Sequence, residues 1–485
     1  MNMNLKKGKA SIMILLIMMV FILLLVLFPS YDNEIYRTNY LIDVICLTVL
    51  LCMYVVGYLL DKYDFFSPIT FFSFLYFFMF FITPIYDLLI GEILWFNKDL
   101  FLYGIKGSLY AFLGYLCFYA AYVLCFRGDN CDLSFNEDVR IENSKKTRKL
   151  NVLIVMGYFI CLIANMFYMT KSGGKSILYI LTLGLLGSGD PNDVTENLGA
   201  IGMLSYCLPS FTLMYFEYGE SKLLKVLFFI LTFQLQVARG FRFIIIQIII
   251  MFVFYWRLSQ DRPFKFIQVF SVLLLLLASI IIMTMFRDAV RSGSGVNMSE
   301  ISLKAVKKAL DAAFWDNLRI YKNFYAIIMV VPEKTPYLLG KQMIIYTVIM
   351  LVPRAIWHNK PSNPGTTATR ISLGVVAVKS GSAYPCLGEY FYEFGLLGIL
   401  IFMTIFGSWT KRYEYKLRIH RSSNIDLMKY CTLVGVILQL VIRGYTPSNF
   451  WLVVFCLIPY WFIDNYIKTS DREQACLYDF RNEKI

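Results

Sequence analysis

Long apolar runs separated by short polar segments fill most of the chain. Most runs are about 18 to 22 residues long, enough for a helix to cross a hydrocarbon core of about 30 Å. They lack the period-two alternation of a membrane strand, and inside a bilayer only helices or closed barrels satisfy the backbone. The pattern predicts an all-α integral membrane protein. Spans are expected near 10–29, 41–60, 68–90, 104–125, 150–169, 199–216, 223–238, 241–257, 266–286, 391–410, 428–442 and 447–467. Twelve spans put both termini on one side. The longest interruption, 287–390, becomes one large external loop between the ninth and tenth spans. Its first part carries Leu303, Val306, Leu310, Phe314, Tyr321 and Tyr325 at helical spacing, with Lys304, Lys307, Lys308 and Asp311 on the other face. Such a helix lies on the membrane or caps the bundle. The apolar stretch from Met343 to Val352 is too short to span, and Pro353, Pro361 and Pro364 then break regular structure. The expected organisation is nine spans over 1–286, the loop over 287–390, three spans over 391–467 and a cytoplasmic tail over 468–485.

Composition agrees with a membrane solvent. The 485 residues are 58% hydrophobic and 16% charged, where a soluble domain carries about 25% charged residues. The net charge of +13 would suggest nucleic acid in a soluble protein. Here the cations gather in Arg140–Lys149, Arg257–Lys265 and Lys411–Arg421. The preference of Lys and Arg for cytoplasmic loops explains them and places both termini inside, so no nucleic-acid partner is expected. The eleven cysteines fall mostly within apolar runs, which leaves no external disulfide framework. Two histidines, and no HExxH, P-loop or GxGxxG pattern, give no reason to expect a metal or nucleotide cofactor. The first apolar run, after Lys6, Lys7 and Lys9, reads as an uncleaved first helix.

Some cations lie where topology does not ask for them. Arg239 and Arg242 share a very short turn between two apolar runs, Arg287 and Arg291 end the ninth span, and Arg443 sits between the last two. Arg354, Lys360, Arg370 and Lys379 lie in the proline-rich part of the large loop. An arginine at mid-membrane costs about 2.5–3.5 kcal/mol, and less at the edge. Its planar fork pairs with phosphate oxygens in two-point fashion, so an anionic ligand at headgroup level is one explanation. Contact with phospholipid headgroups, or snorkelling, is the other.

The most informative stretch begins Val352-Pro353-Arg354-Ala355-Ile356-Trp357-His358-Asn359-Lys360-Pro361. It continues through Tyr384-Pro385-Cys386-Leu387-Gly388-Glu389-Tyr390-Phe391-Tyr392-Glu393-Phe394-Gly395-Leu396-Leu397-Gly398. It resembles the Wzy family of O-antigen and capsule repeat-unit polymerases. Members often show Pro-Arg-x-x-Trp-x-x-Lys-Pro in a long external loop, then Gly-Glu-x-Tyr-x-x-Phe-Gly-x-x-Gly opening the next span. Pro353, Arg354, Trp357, Lys360 and Pro361 match the first element, and Gly388, Glu389, Phe394, Gly395 and Gly398 the second with one residue of drift. Arg239-Gly240 is similar to the family's early arginine site, and Arg370 and Gly381 have the spacing of its Arg-x10-Gly element.

The resemblance implies a GT-C-like membrane glycosyltransferase, metal-independent, at the outer face of the bacterial cytoplasmic membrane. It would transfer a growing glycan from undecaprenyl diphosphate to a hydroxyl of an incoming lipid-linked repeat unit. A chain-length-determining co-polymerase is a possible partner. Negative charge on the leaving diphosphate calls for fixed cations, for which Arg239, Arg242, Arg354 and Arg443 are first choices, with Lys360 and Arg370 next. Glu389 and Glu393, four residues apart, share one helical face, and Glu389 is the first candidate for general base. The alternative for Glu389 is an ion pair that orders the loop. His358 is the second candidate base, with surface polarity as its ordinary reading. Trp357, Tyr384, Tyr390 and Tyr392 either stack on sugar rings or anchor the interface. An O-antigen ligase shares this architecture. A flippase would spread cations through the spans, and charges inside these runs are rare.

Overall fold

The computed structural model describes residues 17–28, 33–124, 144–172, 199–238, 242–259, 318–352, 356–361, 364–373, 383–421 and 423–482. Helices dominate, and among the described residues the one sheet is a two-stranded hairpin. Among the described residues, seven segments are long and apolar enough to cross a membrane. They are Glu34–Leu59, Pro68–Ile90, Phe101–Leu124, Arg148–Thr170, Cys386–Ile419, Asn424–Ile442 and Thr446–Thr469. Shorter apolar helices include Ile17–Val26 and Phe243–Ser259. Further helices cover Cys207–Tyr218 and Lys222–Ala238, at two more of the expected positions. The expected ninth span, 266–286, lies outside the described residues.

We number the helices α1 (Ile17–Val26), α2 (Glu34–Leu59), α3 (Pro68–Ile90), α4 (Phe101–Leu124), α5 (Ser144–Ser172), α6 (199–218), α7 (Lys222–Ala238) and α8 (Arg242–Ser259). After the undescribed stretch come α9 (Tyr321–Val330), α10 (341–349), α11 (Thr366–Leu373), α12 (Cys386–Ile419), α13 (Asn424–Ile442) and α14 (Thr446–Asn482). Local chemistry sets several boundaries. Asn33 caps α2 by accepting from the Ile35 amide at 2.9 Å. Pro84 lacks an amide hydrogen, and a π-turn at Phe78–Ile82 immediately before it absorbs the broken register. Phe96 and Asn97 both have positive φ and close the hairpin between Leu94–Trp95 and Lys98–Asp99, as a two-residue turn requires.

Two large apolar cores, with two smaller clusters beside them, fill the described bundle. The first gathers α2, α3, α4, α9 and α12 as far as Phe406 around Tyr76, Tyr115, Phe324 and Leu387. The second gathers α5, α6, α7, α8 and α14 around Tyr158, Leu208, Met251 and Tyr460. Helix α13 joins them: Ile437, Leu438, Val441 and Ile442 belong to the first core, Met428, Tyr430 and Cys431 to the second. Gly407 of α12 lies against the backbone of Phe118 in α4, where a Cβ has no room.

The described part of the large loop packs into the bundle, where the sequence left open a helix lying on the membrane or capping the bundle. Helix α9 is buried on nearly all sides, with Tyr321, Lys322, Asn323 and Phe324 at or near zero exposure. The other positions of that expected helix, Leu303 to Phe314, fall outside the described residues. Burial is possible because the charges are paired: Lys322 Nζ and Arg319 Nε both sit 2.9 Å from Asp87 at the end of α3. Burial pulls the Lys322 ammonium below its ordinary value, with Asp87 opposing the shift.

Candidate active site

Helix α12 starts at Cys386, with Pro385 in extended geometry before it, so Glu389 lies inside the helix, in its first turn. The expected span began at 391. The helix then breaks: Phe394 leaves helical geometry, and Gly395 takes φ +63° with ψ −149°, a conformation open essentially to glycine. The break frees carbonyls of the turn above it, and the large loop plugs into them. The Leu338 amide donates to Tyr392 O at 3.0 Å and the Leu339 amide to Glu393 O at 3.1 Å. The Glu393 carboxylate then accepts from the amides of Gly340, Gln342 and Met343 at 2.5, 3.1 and 2.9 Å. It caps the first turn of α10, and its side chain is committed to that role.

Glu389 holds a different element. Its carboxylate accepts the Thr446 amide at 2.9 Å, the Thr446 hydroxyl at 2.8 Å and Gln342 Nε2 at 2.6 Å. Thr446 opens α14, so Glu389 caps that helix N-terminus. Gln342 also bonds the Tyr384 hydroxyl, at 2.9 Å from its Nε2. Gly365 packs onto this pair so closely that a Cβ would overlap both Gln342 Oε1 and Tyr384 Oη. Burial, followed by the charge of Glu389, pushes the Tyr384 phenol well above its ordinary value. Both glutamates are buried, Glu389 at 2% and Glu393 at 0% exposure.

Arg443 enters through the turn between α13 and α14. The Gly444 amide donates to Tyr384 O at 2.7 Å, and a Cβ on Gly444 would strike the backbone of Pro385. This approach sets Arg443 at the same end of the bundle as Glu389. Its guanidinium carbon stands 4.9 Å from the centre of the Phe243 ring in α8. Phe243 is the second residue of α8, so Arg443 lies beside the start of that helix. Arg242 is the first residue of α8, whereas Arg239 and Arg354 lie outside the described residues.

The remaining sequence candidates are more dispersed. Lys360 is buried, donates to Met350 O and Val352 O at 3.2 and 3.1 Å, and lies over the Tyr346 ring. It fastens the end of the α10 segment. Arg370 is exposed in the last turn of α11, beside buried Ala368. His358 is exposed in the turn 356–361. Among the described residues no three His, Cys, Asp or Glu side chains gather in a group that fits a metal ion.

Sequence inspection missed Gln342, Thr446 and Gly444. Gln342 is the lone amide beside an apolar stretch, and Gly444 directly follows an arginine between spans; both are signals of a special position.

The fold is that of a multi-pass helical membrane protein, with carboxylates, arginine and the large loop meeting at one end of the bundle. The chain belongs to the O-antigen polysaccharide polymerase Wzy family, whose profile matches residues 10–470. No curated protein and no solved structure matches the chain.

Proposed function

We propose that this chain polymerises lipid-linked repeat units at the external face of the bacterial cytoplasmic membrane. A growing glycan leaves undecaprenyl diphosphate and is joined to a hydroxyl of the incoming unit, as expected of a Wzy polymerase. In this reading twelve spans place both termini inside, and the loop 287–390 covers the reaction end. Arg443, with Arg242 at the start of α8 and Arg239 three residues before it in sequence, holds the departing diphosphate, and Arg354 and Arg370 supply further cations from the loop. Fixed guanidinium forks in a water-poor site stabilise developing phosphate charge without reorganising.

Glu389 takes a positioning role. Its acceptor sites face Thr446 and Gln342, so accepting a proton from a substrate hydroxyl would require one of these to withdraw. Glu393 positions the loop through α10. His358, with no ring-nitrogen partner among the described residues, is the proton acceptor this leaves in the loop.

The observation that carries the reading is the seating of Arg443 on Phe243, beside the Glu389 cluster. Arg443→Ala should lower polymerisation about 10²–10³-fold, the range for loss of one preorganised donor, with Arg443→Lys retaining part of the activity. The measurement is the length distribution of surface polysaccharide in cells with matched protein levels. Single repeat units are expected in the alanine variant; full-length chains would remove Arg443 from the site.

A further inference from the structure

The first core contains a carboxylate, Asp43, that no cation is seen to face among the described residues. Asp43 and Asn39 lie one turn apart on the same face of α2, each about 1% exposed. By the 1.5 Å rise per residue, Asp43 is roughly 14 Å along the helix from its start. Asn39 Nδ2 donates to Phe101 O at 2.7 Å, while among the described residues Asn39 Oδ1 and Asp43 Oδ1 have no partner.

Small residues on α4 make the space in which these oxygens gather. Asn39 Oδ1 faces Gly104, where a Cβ would stand 2.5 Å from it. One turn along, the Ser108 hydroxyl lies against the Asp43 carboxyl. Ser108 Oγ is also 3.3 Å from Tyr325 Oη. The Tyr325 ring fills the room that a Cβ on Gly107 would need. The cations of the segment that carries Tyr325, Lys322 and Arg319, are both bound to Asp87, as is the hydroxyl of Tyr321. An ionised carboxylate in such a place calls for a partner.

We propose that Asn39, Asp43, Ser108 and Tyr325 form a binding site for one small monovalent cation of the size of sodium. Hard cations take oxygen ligands, and this cluster offers carboxylate, amide, hydroxyl and phenol oxygens. One carboxylate balances one positive charge, whereas a divalent ion would leave the buried site charged. The cation would satisfy both orphaned oxygens and hold α2, α4 and α9 together.

The test uses the full-length protein in detergent. Equilibrium binding of radioactive sodium to the unaltered chain should give one ion per protein. The melting temperature should rise with sodium, against choline at equal ionic strength and pH. Asp43→Asn should abolish both effects, and Asn39→Ala should weaken the binding. Absence of sodium binding to the unaltered protein overturns the proposal whether or not the variants fold. So does sodium-dependent melting that survives in Asp43→Asn. Stabilisation that follows pH and ignores sodium would assign the site to a proton instead, and also overturns it.

Discussion

Glu389 and Glu393 show how two like residues one helical turn apart can do different work. Glu393 fastens the loop through three amides, and Glu389 ties α14 and Gln342 to the first turn of α12. If Glu389 positions rather than abstracts a proton, Glu389→Gln and Gln342→Ala break the same bond. Their effects on polymerisation should then be strongly non-additive, the double variant resembling the worse single one. The Michaelis constant for lipid-linked substrate should rise more than turnover falls in each. Additive losses, confined to turnover, would return Glu389 to the role of base. The shared face of the two glutamates is legible from their spacing alone. Their partners are not, because Gln342 and Thr446 are about fifty residues away on either side and local pattern is blind to them. The commitment of Lys360 to backbone carbonyls was equally hidden, since a lysine in a motif looks the same whether it faces substrate or a helix end.

At the scale of elements, the α13–α14 turn makes a tight junction against the start of α12. Gly444 has backbone on its open side, so Gly444→Ala must move Pro385 away. Overpacking of this kind costs about 1–3 kcal/mol. Thermal unfolding in detergent should show a lower melting temperature, and polymer length should shorten because Arg443 and Glu389 separate together. Unchanged stability and chain length would mean that the junction is looser than described. Apolar run length located the long helices well, because bilayer thickness imposes it. The break at Gly395 and the π-turn before Pro84 were out of reach, because a glycine or proline inside an apolar run marks several outcomes equally. The burial of α9 also escaped: local pattern cannot show that Lys322 is neutralised by Asp87, in a distant span.

For the whole molecule, one buried helix, α13, links two cores, and the carboxylate cluster forms where its end turns into α14. At the opposite end, Arg418 pairs with Asp64 and with Glu414, which also accepts from Tyr122, tying α12 to the turn after α2. These two charged clusters lie at opposite ends of α12, while Asp43 stands buried within the span of α2. The central claim is that this assembly joins lipid-linked repeat units to one another. Its most direct measurement is incubation of the purified protein with a defined undecaprenyl-diphosphate-linked repeat unit, followed by separation of the lipid-linked glycans by size. The account predicts a ladder spaced by one repeat unit, with undecaprenyl diphosphate released at each step. A product of fixed length, formed only when a different acceptor is supplied, would contradict it.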